Sequence, residues 1–351
     1  LLHLLQQAVD KDGEIMLILE DAHWLDSASW GLALLAAQRV DPILLVLATR
    51  PMTEPLPAEY SQLLRDPNTQ KLLLDTLPME DLAALVCQRL GVASLPDPLP
   101  EMIYTKTGGN PFFGEEYAYA LRDNGAISVA NGECRIVDLQ TVHLLPDTVQ
   151  GVITSRIDQL APSQQLTLKV ASVIGRIFEF ETLHDIHPIE ADKIRLTDYL
   201  NSLARLDITE LEVPEPDLTY IFKHIITQEV AYNMMLFSQR RALHHAVAAW
   251  YEQTRADDLS PFYSLLAFHW QQANVIAKAL DYLEKAGEQA LRHYANEEAV
   301  EFFSAALSLA EEQERRGAEE QGSRGARERI KTTDQLSPIL QPSNLPTLQR
   351  K

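Results

Sequence analysis

Cysteine is nearly absent: the chain has two, Cys87 and Cys134, far apart and without metal-ligand spacing. That argues against a disulfide scaffold or a cysteine-ligated metal centre and fits free thiols in a reduced, cytoplasmic setting. Long apolar runs are missing too; none approaches the roughly 18 residues a membrane-spanning helix needs, so no membrane partner is expected. Basic residues are outnumbered, 30 against 50 acidic ones, and the formal charge of -20 repels a phosphate backbone. Nucleic acid is therefore not an expected ligand. The opening LLHLLQQAVD has neither an initiator methionine, a basic region nor a small-residue cleavage site. It reads as an interior helix of something longer, not as a signal peptide.

What remains is ordinary globular composition, 46% hydrophobic and 23% charged over 351 residues, enough for about two or three domains. Ile15 to Leu19 is too short and too evenly apolar for a surface helix, and predicts a strand covered on both faces. Asp26 and Ser27 cap a helix through about Arg39, and PILLVLA at 42–48 repeats the buried-strand pattern. Strand, helix, strand implies a parallel pair with a crossover. KLLLDTL at 71–77 predicts a third strand before the helix MEDLAALVCQRLG.

From about residue 95 helices dominate, with TGGNPFF at 107–113 between two of them. Asn131-Gly132 between β-compatible runs predicts a hairpin, because both turn positions need positive φ. A second β excursion is expected near 207–222, and helices plus a β wing suggest a winged-helix arrangement. In the C-terminal helices ALDYLEKA (279–286) and AVEFFSAA (299–306) match position by position, either as copies of a helical repeat or as two ordinary amphipathic helices. The polar tail from about Arg315 is expected to be disordered.

The first strand ends in two adjacent acids, Glu20 and Asp21. At the carboxyl edge of a parallel sheet, where open α/β folds bind ligands, such a pair suits the Walker B role: one acid holds Mg²⁺ and its neighbour orients the attacking water. Alone, two acids after an apolar run also fit a solvated loop. The next strand ends in Thr49 and Arg50, which places a polar and a basic group at the same edge, suited to sensing a γ-phosphate. Arg50 alone is equally a surface ion-pair partner. His184 and His187 share a helical face but have no third ligand nearby, so they read as a solvated pair; adjacent His244 and His245 point in different directions. No Gly-x-Ser-x-Gly elbow occurs.

LILEDAHWLDSASWGLALL, LLVLATRP, TGGNPFFGEEYAYAL and LPDTVQGVITSRIDQLAPSQQLTLKVASVIGRIFEFETL resemble successive segments of the AAA-related STAND-type ATPase module. That module accompanies class III adenylate/guanylate cyclases, some bacterial kinases and MalT-like regulators. FKHIITQEVAYNMMLFSQRRALHHAVAAWYE is similar to the helical segment that closes its winged-helix part and leads into tetratricopeptide-like repeats. The resemblance runs from about residue 13 to 312. It implies an α/β region followed by mostly α: a partial P-loop NTPase core (1–94), a helical lid with a small hairpin (95–144), a winged-helix-like domain (145–240), tetratricopeptide-like helices (241–314) and the tail (315–351). By resemblance Glu20 and Asp21 are the Walker B pair and metal ligands, Arg50 the sensor beside Thr49, and Gly109, Asn110 and Pro111 the turn that approaches the adenine of ATP. Walker B pairs commonly begin with aspartate; Glu20 departs from that, which leaves the metal geometry open.

One part of an ATP site has no counterpart. Gly-x-x-x-x-Gly-Lys-Ser/Thr cradles phosphate with backbone amides and neutralises it with lysine, and this chain contains no Gly-Lys dipeptide. Either that segment lies upstream in the same polypeptide, or nucleotide chemistry has been lost. The expectation is a regulatory module binding ATP or ADP with Mg²⁺ in a larger protein, joined to an output domain, with a protein or peptide partner on the repeats. The competing reading is a nucleotide-independent interaction scaffold.

Overall fold

The computed structural model describes residues 2–138, 140, 142, 145–214, 216 and 218–315. The polar tail lies almost wholly outside them. Mixed α/β structure comes first: α1 (Leu2–Asp12), β1 (Ile15–Leu19), α2 (Ser27–Arg39), β2 (Ile43–Leu47) and α3 (Ala58–Arg65). There follow α4 (Met79–Leu90), α5 (Leu99–Thr107), α6 (Pro111–Asp123), β3 (Ile127–Ala130) and β4 (Glu133–Ile136). Next come α7 (Val149–Asp158), α8 (Pro162–Ile174), β5 (Ile177–Glu179), α9 (Phe180–Ile186), α10 (Glu190–Lys193), α11 (Leu196–Arg205), β6 (Thr209–Val213) and β7 (Thr219–Phe222). Mostly helical structure completes the described residues: α12 (Ile225–Asn233), α13 (Phe237–Thr254), α14 (Tyr263–Gln272), α15 (Ile276–Arg292) and α16 over 296–315. These elements form two compact units, one from residues up to Glu59 and from Ser260 onward, the other Tyr60–Leu259. Among the described residues no helix is long and apolar enough to cross a membrane.

In the first unit β1 and β2 pair in parallel, Ile15 opposite Ile43 through Leu19 opposite Leu47. Alternation sends odd-numbered residues toward the face on which α1 and α2 pack, and even-numbered ones to the other. Coverage on both faces was expected; instead Met16 (61% exposed), Ile18, Leu44 and Val46 form a bare apolar face. Asp26 caps α2 by accepting the Ser29 amide at 2.6 Å, as its position predicts.

The expected third strand at 71–77 does not form. Those residues join no ladder, and Leu72, Leu73 and Leu74 are 83%, 82% and 95% exposed. An apolar run becomes a buried strand only where a neighbour satisfies its amides and carbonyls and layers cover its faces. Among the described residues no strand pairs with the run; the Leu77 amide at its end donates to the Gly109 carbonyl.

In the second unit a continuous apolar cluster runs from Leu82 to Val152, with α6 inside it. Every α6 residue from Phe113 to Leu121 is buried, including Glu115 and Glu116. A helix sheathed on all sides needs close packing and paired charges. Gly114 supplies the first, since a Cβ there would lie 2.6 Å from a Leu82 methyl. Arg89 pairs with Glu115 at 3.0 Å, and Arg156 of α7 pairs with Glu116 at 2.6 Å and Asp123 at 3.3 Å. Arg156 also donates to the Leu206 carbonyl and lies over the Tyr119 ring, 4.9 Å from its centroid. Burial raises the Glu116 carboxyl above its ordinary range even with Arg156 pulling it back. The two free cysteines share the same cluster, and burial raises both thiols.

The Asn131-Gly132 hairpin forms as its residues dictate, with φ of 52° and 77° joining antiparallel β3 and β4. The second excursion becomes β6 and β7, and unforeseen β5 completes an antiparallel sheet of order β5-β7-β6. His184 and His187 are not a solvated pair: α9 ends at Ile186, and His187, its C-cap, is 3% exposed with Nδ1 3.2 Å from the Ile189 carbonyl. His244 is buried, 2.9 Å from the Tyr232 hydroxyl, while His245 is exposed. ALDYLEKA and AVEFFSAA fall on consecutive helices, α15 and α16, with Ala279, Ala286 and Ala299 buried.

Removing the buried guanidinium strands Glu116, so Arg156→Ala is expected to lower unfolding free energy by about 3–5 kcal/mol in urea titrations. Burial, with neighbouring cations adding to it, lowers His224 and His244 from 6.5 to about 4. The unfolded chain therefore takes up these protons at higher pH than the folded one, and stability falls as pH drops from about 6.5 toward 4. Thermal unfolding should show a falling Tm across that window, and His244→Gln should flatten part of the fall.

Candidate functional site: carboxylates at a parallel strand edge

Because β1 and β2 are parallel and end in register, both chains leave the sheet at one edge. Two further hydrogen bonds extend the ladder there: Ala48 N–H donates to the Leu19 carbonyl at 3.0 Å, and Ala22 N–H to the Ala48 carbonyl at 2.8 Å. Glu20 and Asp21 make the turn between them. Asp21 is left-handed (φ 51°, ψ 40°), a conformation uncommon outside glycine but tolerated by aspartate. It folds the chain back so that Ala22 is fully buried, leaving Glu20 exposed and Asp21 half-buried. Thr49 and Arg50 follow Ala48 and are both exposed; the Thr49 hydroxyl donates to the Arg50 carbonyl at 2.9 Å. Arg50 forms no ion pair among the described residues. Glu20, Asp21, Thr49 and Arg50 thus share one sheet edge.

Two carboxylates at such an edge suit Mg²⁺, which takes hard oxygen donors and is usually held by one or two carboxylates with phosphates and waters. Among the described residues no group of three or more His, Cys, Asp or Glu side chains could form an all-protein metal cage. Sequence reasoning passed over His23, in the 3₁₀ turn Ala22–Trp24 after the acids. Among the described residues both its ring nitrogens are shielded from solvent without a hydrogen-bond partner, and its ring lies 5.1 Å from the Trp24 indole, itself 78% exposed. Its neighbours in sequence gave no sign of this, since shielding depends on how the turn folds.

Gly109, Asn110 and Pro111 belong to the second unit. Gly108 and Gly109 both have positive φ, 59° and 77°, and close the C-terminus of α5. Gly109 makes a close backbone approach, and its partner is Leu77: the Leu77 amide donates to the Gly109 carbonyl at 2.8 Å, and a Cβ on Gly109 would sit 2.3 Å from the Leu77 carbonyl oxygen. Asn110 caps α6, its side chain accepting the Phe113 amide at 3.0 Å, and Pro111 opens the helix, half-buried.

The next residue, Phe112, packs on His224 with ring centroids 4.0 Å apart. Burial, then the charges of Lys223, Arg176, Arg89 and Arg156, hold that imidazole down at about 4. His224 is the N-cap of α12 and was not singled out from sequence, because its cationic surroundings come from four separate segments. Close by in the same unit, a shallow cleft of about 230 Å³ is lined by Asp123, Arg156, Gln159, Leu160, Leu206 and Ile208. The Arg156 guanidinium there is already engaged by Glu116, Asp123 and the Leu206 carbonyl.

The molecule is thus a mixed α/β chain whose strand-edge carboxylates are followed by mostly helical structure. Residues 78–135, from α4 through β4, match a family described as a domain of unknown function (DUF8739). Uncharacterized protein R02095 of Rhizobium meliloti (strain 1021) is 26% identical over 309 residues, covering 86% of this chain and 29% of that protein. Adenylate cyclase type 10 of Rattus norvegicus is 22% identical over 279 residues, 68% of this chain and 17% of the cyclase. Its Oryctolagus cuniculus counterpart is 23% identical over 224 residues, 53% and 14% respectively. The chain therefore spans less than a third of the length of these curated relatives.

The turn before α6 is sensitive to two changes. Gly109→Ala meets both positive φ and the Leu77 carbonyl, and is expected to cost about 2–4 kcal/mol. Asn110→Ala removes only a cap, about 1 kcal/mol. Parallel urea titrations measure both, and equal losses would contradict the geometry.

Proposed function

We propose that this chain is part of a regulatory ATP-binding module of a larger signalling protein, and that alone it turns over little or no ATP. The observation that carries the reading is the meeting of Glu20, Asp21, Thr49 and Arg50 at one carboxyl edge of a parallel strand pair. Distant similarity to adenylate cyclase type 10 supports a signalling association, and resemblance to the STAND-type module supports the nucleotide. In this reading Glu20 and Asp21 would hold Mg²⁺, which when bound neutralises phosphate charge, and one of the two carboxylates would also orient a water. Arg50, with Thr49, would sense the γ-phosphate; the same resemblance assigns adenine to the Gly109-Asn110-Pro111 turn of the second unit.

The phosphate-cradling loop comes from elsewhere in the same polypeptide, which is cytoplasmic. The bare face of Met16, Ile18, Leu44 and Val46 and the exposed Leu72–Leu74 run support a sheet that is larger in the complete protein. The order α8, β5, helices, then the β6–β7 hairpin, with β5 beside β7, supports a winged-helix region. Its β6 arm exposes Glu210 and Glu212, which suits packing against protein more than phosphate. A second reading, a docking scaffold, is favoured by Val300 and Leu307, 64% and 63% exposed on α16, in a region read as tetratricopeptide-like.

The deciding measurement is thermal unfolding of an N-terminally extended protein with and without MgATP. Stabilisation of about 2–3 kcal/mol at a hundredfold excess over Kd is expected, abolished by Glu20→Gln with Asp21→Asn. Robust hydrolysis by the 351-residue chain alone would overturn the proposal, and stabilisation only by a protein partner would favour the scaffold.

A further inference from the structure

The first turn of α2 is closed by a residue far away in sequence. The Ser27 amide donates to Glu298 Oε1 at 2.6 Å, and the Ser27 hydroxyl donates to Oε2 at 2.9 Å. Both oxygens of a carboxylate on α16 thus engage one residue of α2, beside the local cap made by Asp26. A helix N-terminus leaves its first amides without intrahelical partners and carries partial positive charge, so a second carboxylate is favoured there. Charge-assisted bonds of this length are the strong kind.

Two features make this contact more than an added cap. Ser27 follows closely on the strand-end acids, and the intervening turn is held by Trp24 N–H to the Asp21 carbonyl at 2.9 Å and Leu25 N–H to the Ala22 carbonyl at 3.1 Å. Displacement of Ser27 is therefore passed to Asp21 through few free torsions. At the other end, α16 is seated on α15 by the Phe303 ring, which fills the space over Gly287 where a Cβ would come within 2.8 Å. α16 also presents exposed Val300 and Leu307.

We infer that Glu298 is a latch through which the seating of α16 sets the conformation of the Glu20–Asp21 loop, so that drawing α16 away loosens the strand-edge carboxylates. Its bearing on ATP rests on the function proposed above; the mechanical coupling does not.

Amide hydrogen exchange on the whole chain without nucleotide tests it. Glu298→Ala should speed exchange of the Ser27 amide, and of the amides from Asp21 to Leu25, by about tenfold, the effect of losing a charged hydrogen bond. Glu298→Gln, which keeps the shape, should do so less, and Glu297→Gln on the same helix not at all. The effects of Ser27→Ala and Glu298→Ala should be non-additive. Unchanged exchange from Asp21 to Leu25 in Glu298→Ala, or additive effects of the two substitutions, would overturn the latch. Because no nucleotide is present, either result stands whatever the MgATP measurement gives.

Discussion

Parallel pairing of β1 with β2 is the constraint from which the candidate site follows. Parallel strands present the same chemical end at the same edge, and the register from Ile15–Ile43 to Leu19–Leu47 makes the two chains leave together. Crossed amide bonds through Leu19, Ala22 and Ala48 then fix the turn carrying Glu20 and Asp21. A register slip would turn the apolar side chains to the opposite face and carry the acids away from Thr49 and Arg50.

The second unit solves a different problem. Burying a helix all round leaves no solvent for its acids, and α6 carries three close together, Glu115, Glu116 and Asp123. Arginines from α4 and α7 answer them, so the core around α6 is organised by fixed ion pairs as much as by apolar packing. Removing one partner is costly because its counterpart stays shielded.

Features decided by nearby residues were legible in the sequence. Asp26 at a helix start and Asn-Gly between two β runs each specify a backbone conformation, TGGNPFF specifies a break between two helices, and each forms as read. Features that depend on distant partners were not. KLLLDTL has the composition of a buried strand but meets no ladder; β5 is three residues long and is defined by its pairing with β7. His187 looked solvated on a helical wheel, yet the helix stops before it. At the candidate site, the acids and the Thr49-Arg50 edge could be read from strand ends. The left-handed Asp21, the shielded His23 and the reach of Glu298 could not, since each arises only once the chain has folded back on itself.

The three leucines at 72–74 carry a consequence for the molecule in solution. A short, uncharged, β-prone stretch lying open to water is a template on which a second copy can stick, and such stretches drive precipitation. Lys71 and Asp75 bracket it with opposite charges, the placement of gatekeepers that discourage stacking without forbidding it. Lys71 and Asp75 thus limit this hazard locally, and covering those leucines would remove it at its source.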